Sequence, residues 1–184
     1  MLYSHNDFEK LVDKTFGEID RTTLSSIHEN RIRLELGESE LEMNRFKQAF
    51  LRADEVFRFC FEDFSVWLRI VLWTDAEEKN LEQAGLAIET ADIVFRTKVD
   101  GNEVLYLNYR RYSCEMVGAV IKSIINYEMA KDPSANITCY FINFEKRLMI
   151  NVYDDRGMDI HSPDTKFFSE ISNRFAVWKS QDLF

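Results

Sequence analysis

Residues 66–73 constrain the fold of this chain more than any other segment. They read Val-Trp-Leu-Arg-Ile-Val-Leu-Trp, so both alternating faces of an extended segment would be apolar except at Arg69. Such a run is typical of a central strand rather than an edge strand. It is also far shorter than the ~20 apolar residues that a membrane-spanning helix needs. We therefore expect a sheet that has residues 66–73 in its interior.

Helical and extended patterns alternate along the rest of the chain. Apolar residues at steps of three and four, together with capping residues and acidic first turns, predict helices over 6–19, 42–60, 75–84, 113–131 and 162–178. Alternating side chains predict strands over 32–36, 93–99, 104–112, 137–142, 148–153 and 158–160. Ser113 is the expected N-cap of the fourth helix. Ser162 is the expected N-cap of the last helix, with Pro163 in its first turn.

The connections between the predicted strands indicate the fold class. Asp100-Gly101 separates two alternating runs, and both residues can reach positive φ, which is typical of a tight hairpin. Neighbouring hairpins favour an antiparallel or mixed sheet with helices against it over a doubly wound parallel sheet. We expect a single α+β domain over residues 1–184, with about five to seven strands and four to five helices.

Composition and charge narrow the possible partners. With 184 residues, 46% of them hydrophobic, the chain is long enough to bury one substantial core. Its 32 acidic and 23 basic residues give a formal charge of −9, which repels phosphate backbones and disfavours nucleic acid as a partner. No signal peptide is visible at the N-terminus, so we expect a cytoplasmic protein that binds neither nucleic acid nor a membrane.

The sequence lacks the motifs of common enzymes and cofactor sites. It contains no G-x-G-x-x-G, no Walker-type glycine loop, no H-E-x-x-H and no G-x-S-x-G. Cys60, Cys114 and Cys139 lie far apart in apolar stretches, which indicates buried free thiols rather than a zinc site. His5 and His28 are distant from the polar residues near the C-terminus. We expect no cofactor, no metal and no catalytic residue.

The densest polar cluster is Tyr-Asp-Asp-Arg-Gly-Met-Asp at 153–159, followed by His161. Asp154, Asp155 and Asp159 could bind a divalent cation, or Arg156 an anionic substrate. The same residues suit a turn, because aspartates bond to nearby backbone, Gly157 supplies positive φ, and Arg156 pairs with a neighbouring aspartate. We favour the structural interpretation, and the residues alone are compatible with both.

Glu38, Glu40 and Glu42 form an acid-rich stretch after the first predicted strand. Such a stretch is usually a solvated face, and it is also suited to contact a basic protein.

Two segments of the chain carry a family resemblance. Residues 31–37, Arg-Ile-Arg-Leu-Glu-Leu-Gly, and residues 152–160, Val-Tyr-Asp-Asp-Arg-Gly-Met-Asp-Ile, occur in that order before an aromatic final helix. They resemble the "LRFELG"-like strand and the "YDDRGMD" run of a bacterial family known only as a domain of unknown function. The resemblance covers roughly residues 28–179 and leaves the N-terminal helix outside. It implies a bacterial cytosolic α+β domain, and it assigns no activity.

Two functions are compatible with this pattern. The first is a non-enzymatic binding protein, in particular an immunity protein that occludes a basic, nuclease-like toxin domain. Its candidate contacts are Glu38, Glu40 and Glu42, with Asp154, Asp155 and Asp159 second. The alternative is a metal-assisted hydrolase that uses the carboxylate-rich turn at 154–161 to activate water or polarise a phosphate.

Overall fold

The structure, a computed structural model, describes residues 4–18, 23–24, 27 and 29–180. Within them the chain forms five α-helices and seven strands. In chain order these are α1 (His5–Phe16), β1 (Arg31–Glu35), α2 (Glu42–Phe61), β2 (Val66–Leu72), α3 (Glu77–Gln83), β3 (Ile93–Val99), β4 (Asn102–Tyr109), α4 (Cys114–Glu128), β5 (Ile137–Asn143), β6 (Leu148–Val152), β7 (Gly157–His161) and α5 (Thr165–Arg174). Short 3₁₀ turns occupy Ile88–Thr90 and Ala176–Trp178.

All seven strands belong to one antiparallel sheet in the order β1-β7-β6-β5-β2-β4-β3. This confirms the predicted α+β class. β2 lies between β4 and β5, and every one of its residues is buried, as its apolar composition predicts. The sheet is antiparallel because hairpins join β3 to β4, β5 to β6, and β6 to β7.

Helices cover both faces of the sheet. On one face, the apolar stripes of α2 and α4 pack on residues such as Leu68, Ile70 and Phe141 and form the larger core. On the other face, α1 buries Phe8 and its neighbours against an aromatic cluster that includes Trp67 and Tyr106. A central strand with two apolar faces requires such a cover on each side.

Two local predictions of turn and cap chemistry agree with the structure. Asp100 and Gly101 have φ of 51° and 86°, so both central residues of the β3–β4 hairpin are left-handed, as a type I′ turn requires. Ser113 caps α4, and its side chain accepts a hydrogen bond from the Met116 N–H. The β3–β4 turn and the N-cap of α4 are therefore determined by residues that are adjacent in the sequence.

Other boundaries differ from the predictions. Asp164, and not Ser162, is the N-cap of α5, because its carboxylate accepts the N–H groups of Lys166 and Phe167 at 3.0 and 3.1 Å. Pro163 therefore precedes the cap and does not occupy the first turn. Helix α1 ends at Phe16, and Gly17 follows with φ of 83°. The predicted helical residue Ile19 lies outside the described residues.

None of the described helices combines the length and the apolar character needed to cross a bilayer.

Candidate functional site

The candidate site residues predicted from the sequence lie in two separate segments of the structure. Residues 153–156 form the connection between β6 and β7, which we call the β6–β7 turn. Glu38, Glu40 and Glu42 lie between β1 and the first turn of α2, on the outside of the molecule.

Asp154 organises the β6–β7 turn through its carboxylate. Oδ1 accepts the backbone N–H groups of Arg156 and Gly157 at 2.7 and 2.8 Å. Oδ2 accepts from Nε and Nη2 of the Arg156 guanidinium at 2.9 and 2.7 Å. Asp154 is buried although it is charged, because these four donors replace water. Both oxygens of the carboxylate are used within the turn itself.

Asp155 connects the β6–β7 turn to α2. Its buried carboxylate forms an ion pair with Arg45. The Leu36 N–H also donates to the Arg156 carbonyl at 2.7 Å, which ties the end of β1 to the turn. A Cβ at Gly37 would lie 2.6 Å from the Asp155 carbonyl oxygen, so only glycine permits this close approach. Residues 31–37 and 153–157 thus meet in space.

The prediction that Gly157 supplies a positive φ is wrong. Gly157 is the first residue of β7 and pairs in register with Glu35, and it is not among the left-handed residues of the described chain. A Cβ at this position would collide with the hydroxyl of Tyr153. The glycine is needed because an aromatic side chain lies directly over it, a packing requirement that turn chemistry does not reveal.

Asp159 and His161 lie inside the sheet rather than in the turn. Both project from β7 toward the face that carries α1, opposite Arg33 and Arg31 of β1. Asp159 Oδ1 lies 3.2 Å from Arg31 Nη2, and the Arg33 guanidinium lies 5.4 Å from the centroid of the Tyr153 ring. We call this group the β1–β7 polar cluster; its members are Arg31, Arg33, Tyr153, Asp159 and His161.

Burial shifts the titration of the β1–β7 polar cluster. Desolvation raises the pKa of Asp159, and the Arg31 guanidinium opposes that shift. Desolvation lowers the pKa of His161, and nearby backbone carbonyls oppose it. His161 Nδ1 lies 3.1 Å from the Asn30 carbonyl oxygen, which can only accept, so Nδ1 carries the proton in the neutral ring. Nε2 is then an acceptor.

The three aspartates do not converge on one point. Asp154 bonds to Arg156, Asp155 pairs with Arg45, and Asp159 pairs with Arg31. Among the residues that the structure describes, no three His, Cys, Asp or Glu side chains are arranged to hold a metal ion. His5 contacts the Tyr106 hydroxyl at 2.8 Å, and His28 lies outside the described residues.

The three glutamates of the second segment are exposed. Glu38 pairs with Arg52 at 2.8 Å, and Glu42 pairs with Lys131 at 3.0 Å. Large apolar side chains stand among them: Leu41 is 68% exposed and Met43 is 81% exposed. Exposed apolar side chains that occur together, rather than singly, are typical of an interaction surface.

The same apolar character continues onto α2 and the C-terminal 3₁₀ turn. Leu51 and Trp178, with five polar residues of α2, line a shallow groove of about 370 Å³. Leu51 is 55% exposed, and Val177, next to Trp178, is 85% exposed. We call this region the acidic–apolar surface; it comprises Glu38, Glu40, Leu41, Glu42, Met43, Leu51, Val177 and Trp178.

The sequence shows features of the β6–β7 region and of the glutamate-rich stretch that sequence patterns alone could not interpret. Arg31 and Arg33 alternate with Ile32 and Leu34, so they had to share one face of β1, but nothing indicated which strand lay beside them. Leu41 and Met43 interrupt an acidic stretch in a way that a purely solvated loop would not require.

Comparison with known proteins identifies a family and no characterised relative. No curated protein and no solved structure matches the chain. The model of one family, described as Domain of unknown function (DUF3885), matches residues 8–182. The match includes the N-terminal helix, which the resemblance of the two sequence segments left outside. Because it spans nearly the whole sequence, the chain belongs to the DUF3885 family.

Proposed function

We propose that this chain is a non-enzymatic bacterial binding protein that acts in the cytoplasm. In this proposal it is an immunity protein that occludes a basic, nuclease-like toxin domain. The acidic–apolar surface is the contact face, and the observation that carries the proposal is the exposure of Leu41, Met43 and Leu51 within residues 38–51, a segment that also presents Glu38, Glu40 and Glu42.

Apolar and acidic groups would contribute to binding in different ways. Burial of Met43 and Leu51 against a partner removes apolar surface from water, at roughly 25 cal/mol per Å². The glutamates and the net charge of −9 attract a cationic partner and raise the association rate. An apolar centre with a charged rim is the usual anatomy of a protein–protein interface.

Burial separates the two sets of candidate contacts. Asp154, Asp155 and Asp159 are buried and paired with arginines, so a partner would not reach them without opening the β6–β7 turn. Glu38, Glu40 and Glu42 are exposed. The proposed contact face therefore rests on the glutamates and their apolar neighbours.

The test uses the product of the gene next to the one that encodes this chain. Cells that express that product are scored for survival with wild-type chain, Met43→Glu, or the matched control Val94→Glu. Val94 is also an exposed apolar residue, but it lies on β3 at the other edge of the sheet. We expect Met43→Glu to abolish protection and to weaken binding by about tenfold or more, whereas Val94→Glu protects fully.

Charge is tested separately by Glu40→Lys, with Glu89→Lys as the control for a remote exposed acid. Binding measured at low and high salt should weaken with salt for the wild type, and the salt dependence should decrease for Glu40→Lys alone. Failure of the wild-type chain to protect, or equal effects of variant and control, would refute the proposal. The hydrolase alternative is tested by calorimetric titration with magnesium, manganese and zinc.

A further inference from the structure

We propose that the β1–β7 polar cluster binds a small oxyanion, a phosphate or a carboxylate, on Arg33 and Tyr153. The site lies on the face of the sheet that carries α1, near the edge strand β1. It is independent of the acidic–apolar surface and does not depend on the function proposed above.

Arg33 differs from the other buried or half-buried arginines in its ion pairing. Five arginines of the described chain are buried or half-buried, and four of them pair with a carboxylate: Arg31 with Asp159, Arg45 with Asp155, Arg52 with Glu38 and Arg69 with Glu9. Arg33 forms no ion pair with any described residue. Glu35 lies on the same face of β1, yet it does not pair with Arg33. The Arg33 side chain is half-buried and its Nε is fully buried, so a bound anion would give this nitrogen an acceptor and the guanidinium an ion-pair partner.

Arg33 and Tyr153 also contain hydrogen-bonding groups that have no partner. Arg33 Nε and the Tyr153 hydroxyl are both shielded from solvent, and neither has a hydrogen-bond partner. The two groups adjoin, because the Arg33 guanidinium lies over the Tyr153 ring. An N–H donor and an O–H donor without partners, in adjoining side chains of which one is positively charged, are the elements of an oxyanion site. An ordered water could accept these bonds, but it would not neutralise the charge.

The neighbouring residues define the limits of the site. Asp159 adds a negative charge whose nearest cation is Arg31 at 3.2 Å. The Arg33 charge also acts on Asp159, so it is compensated in part, and an anion bound at Tyr153 must compete with Asp159, Asp154 and Glu35. His161 offers an acceptor at Nε2, which suits a ligand that carries a hydroxyl or a protonated phosphate oxygen. The planar guanidinium fork matches the geometry of carboxylate and phosphate alike.

The experiment is a titration of the ¹⁵N-labelled full chain with inorganic phosphate and, separately, with sodium acetate. The arginine Nε–Hε resonances and calorimetry report binding. The variants are Arg33→Gln and Tyr153→Phe, and the matched control is Arg111→Gln, which removes an exposed arginine that pairs with no described carboxylate. Circular dichroism confirms that each variant is folded.

We expect saturable binding of one or both anions, with the Arg33 Nε–Hε resonance shifting most. Arg33→Gln should weaken it by about tenfold or more, and Tyr153→Phe by a smaller factor. Arg111→Gln should leave it unchanged. The anion whose titration saturates at the lower concentration is the preferred ligand class, phosphate or carboxylate. Absence of saturable binding in both arms, equal weakening by the control, or unchanged affinity in Tyr153→Phe would overturn the proposal. Tyr153→Phe carries the test alone if Arg33→Gln does not fold.

Discussion

Glu9→Ala tests how α1 is held on the sheet. Arg69 lies in β2 at the centre of the sheet, and its side chain is only 3% exposed. Its Nε donates to Glu9 Oε1 at 2.8 Å, and the Tyr106 hydroxyl donates to the same oxygen at 2.8 Å. This carboxylate from α1 thus neutralises the one charge within an otherwise apolar strand.

The expected cost follows from the burial of the pair. Removing one partner of a buried ion pair costs about 3–5 kcal/mol, because the remaining charge has lost its compensation. At roughly 2–4 °C per kcal/mol for a chain of this size, the melting temperature should fall by about 6–20 °C. Replacing both residues together, as Glu9→Met with Arg69→Met, removes both charges and should cost clearly less than the sum of the single changes.

Urea unfolding followed by tryptophan fluorescence measures these values, because Trp67 lies under α1. Glu89→Ala is the control, since an exposed acid should change the free energy of unfolding by about 0.5 kcal/mol or less. The reasoning is refuted if Glu9→Ala costs less than about 1 kcal/mol, or if the double replacement costs the full sum of the single ones.

Three further predictions concern the β6–β7 region. Burial lowers the pKa of His161, so the stability that this residue contributes is complete above the unfolded pKa near 6.5 and is lost as the pH falls below it. Urea unfolding at a series of pH values should show the free energy of unfolding decrease by at most ~1.4 kcal/mol per pH unit in this range. His161→Gln should abolish this part of the pH dependence. Gly157→Ala should destabilise by about 1–3 kcal/mol in thermal unfolding, and adding Tyr153→Phe should recover part of the loss, because the hydroxyl is the colliding group. Asp154→Ala should cost about 2–4 kcal/mol by the same assay, with Asp154→Asn intermediate, because the buried Gly157 N–H and the partly buried Arg156 N–H lose their acceptor.

The sequence predicted the elements of the fold because their signals are local. The apolar run of β2 indicated a central strand, and Asp100-Gly101 indicated the hairpin, without knowledge of any distant residue. The cap of α5 was misplaced by two residues, because Ser162, Pro163 and Asp164 all suit a helix start and only the backbone path decides between them.

The candidate site was less predictable because its partners come from far along the chain. Asp155 pairs with Arg45 and Asp159 with Arg31, each more than a hundred residues away in sequence. Without the β1–β7 pairing, the three aspartates looked like one cluster. The structure shows three separate ion pairs, and it adds Arg33 and Tyr153, whose significance depends on lacking such partners among the described residues.

The distribution of charge in the structure links stability and function in a testable way. Asp154, Asp155 and Asp159 are each matched by an arginine, so the β6–β7 region adds almost nothing to the net charge of −9. Part of the excess comes from exposed acids, such as Glu40, that pair with no described cation. Replacing a buried aspartate should therefore change the free energy of unfolding, whereas replacing Glu40 should leave it nearly unchanged and alter binding alone. The proposed binding through the exterior predicts this separation for these residues, because the three aspartates are buried, whereas Glu40 is exposed and pairs with no described cation.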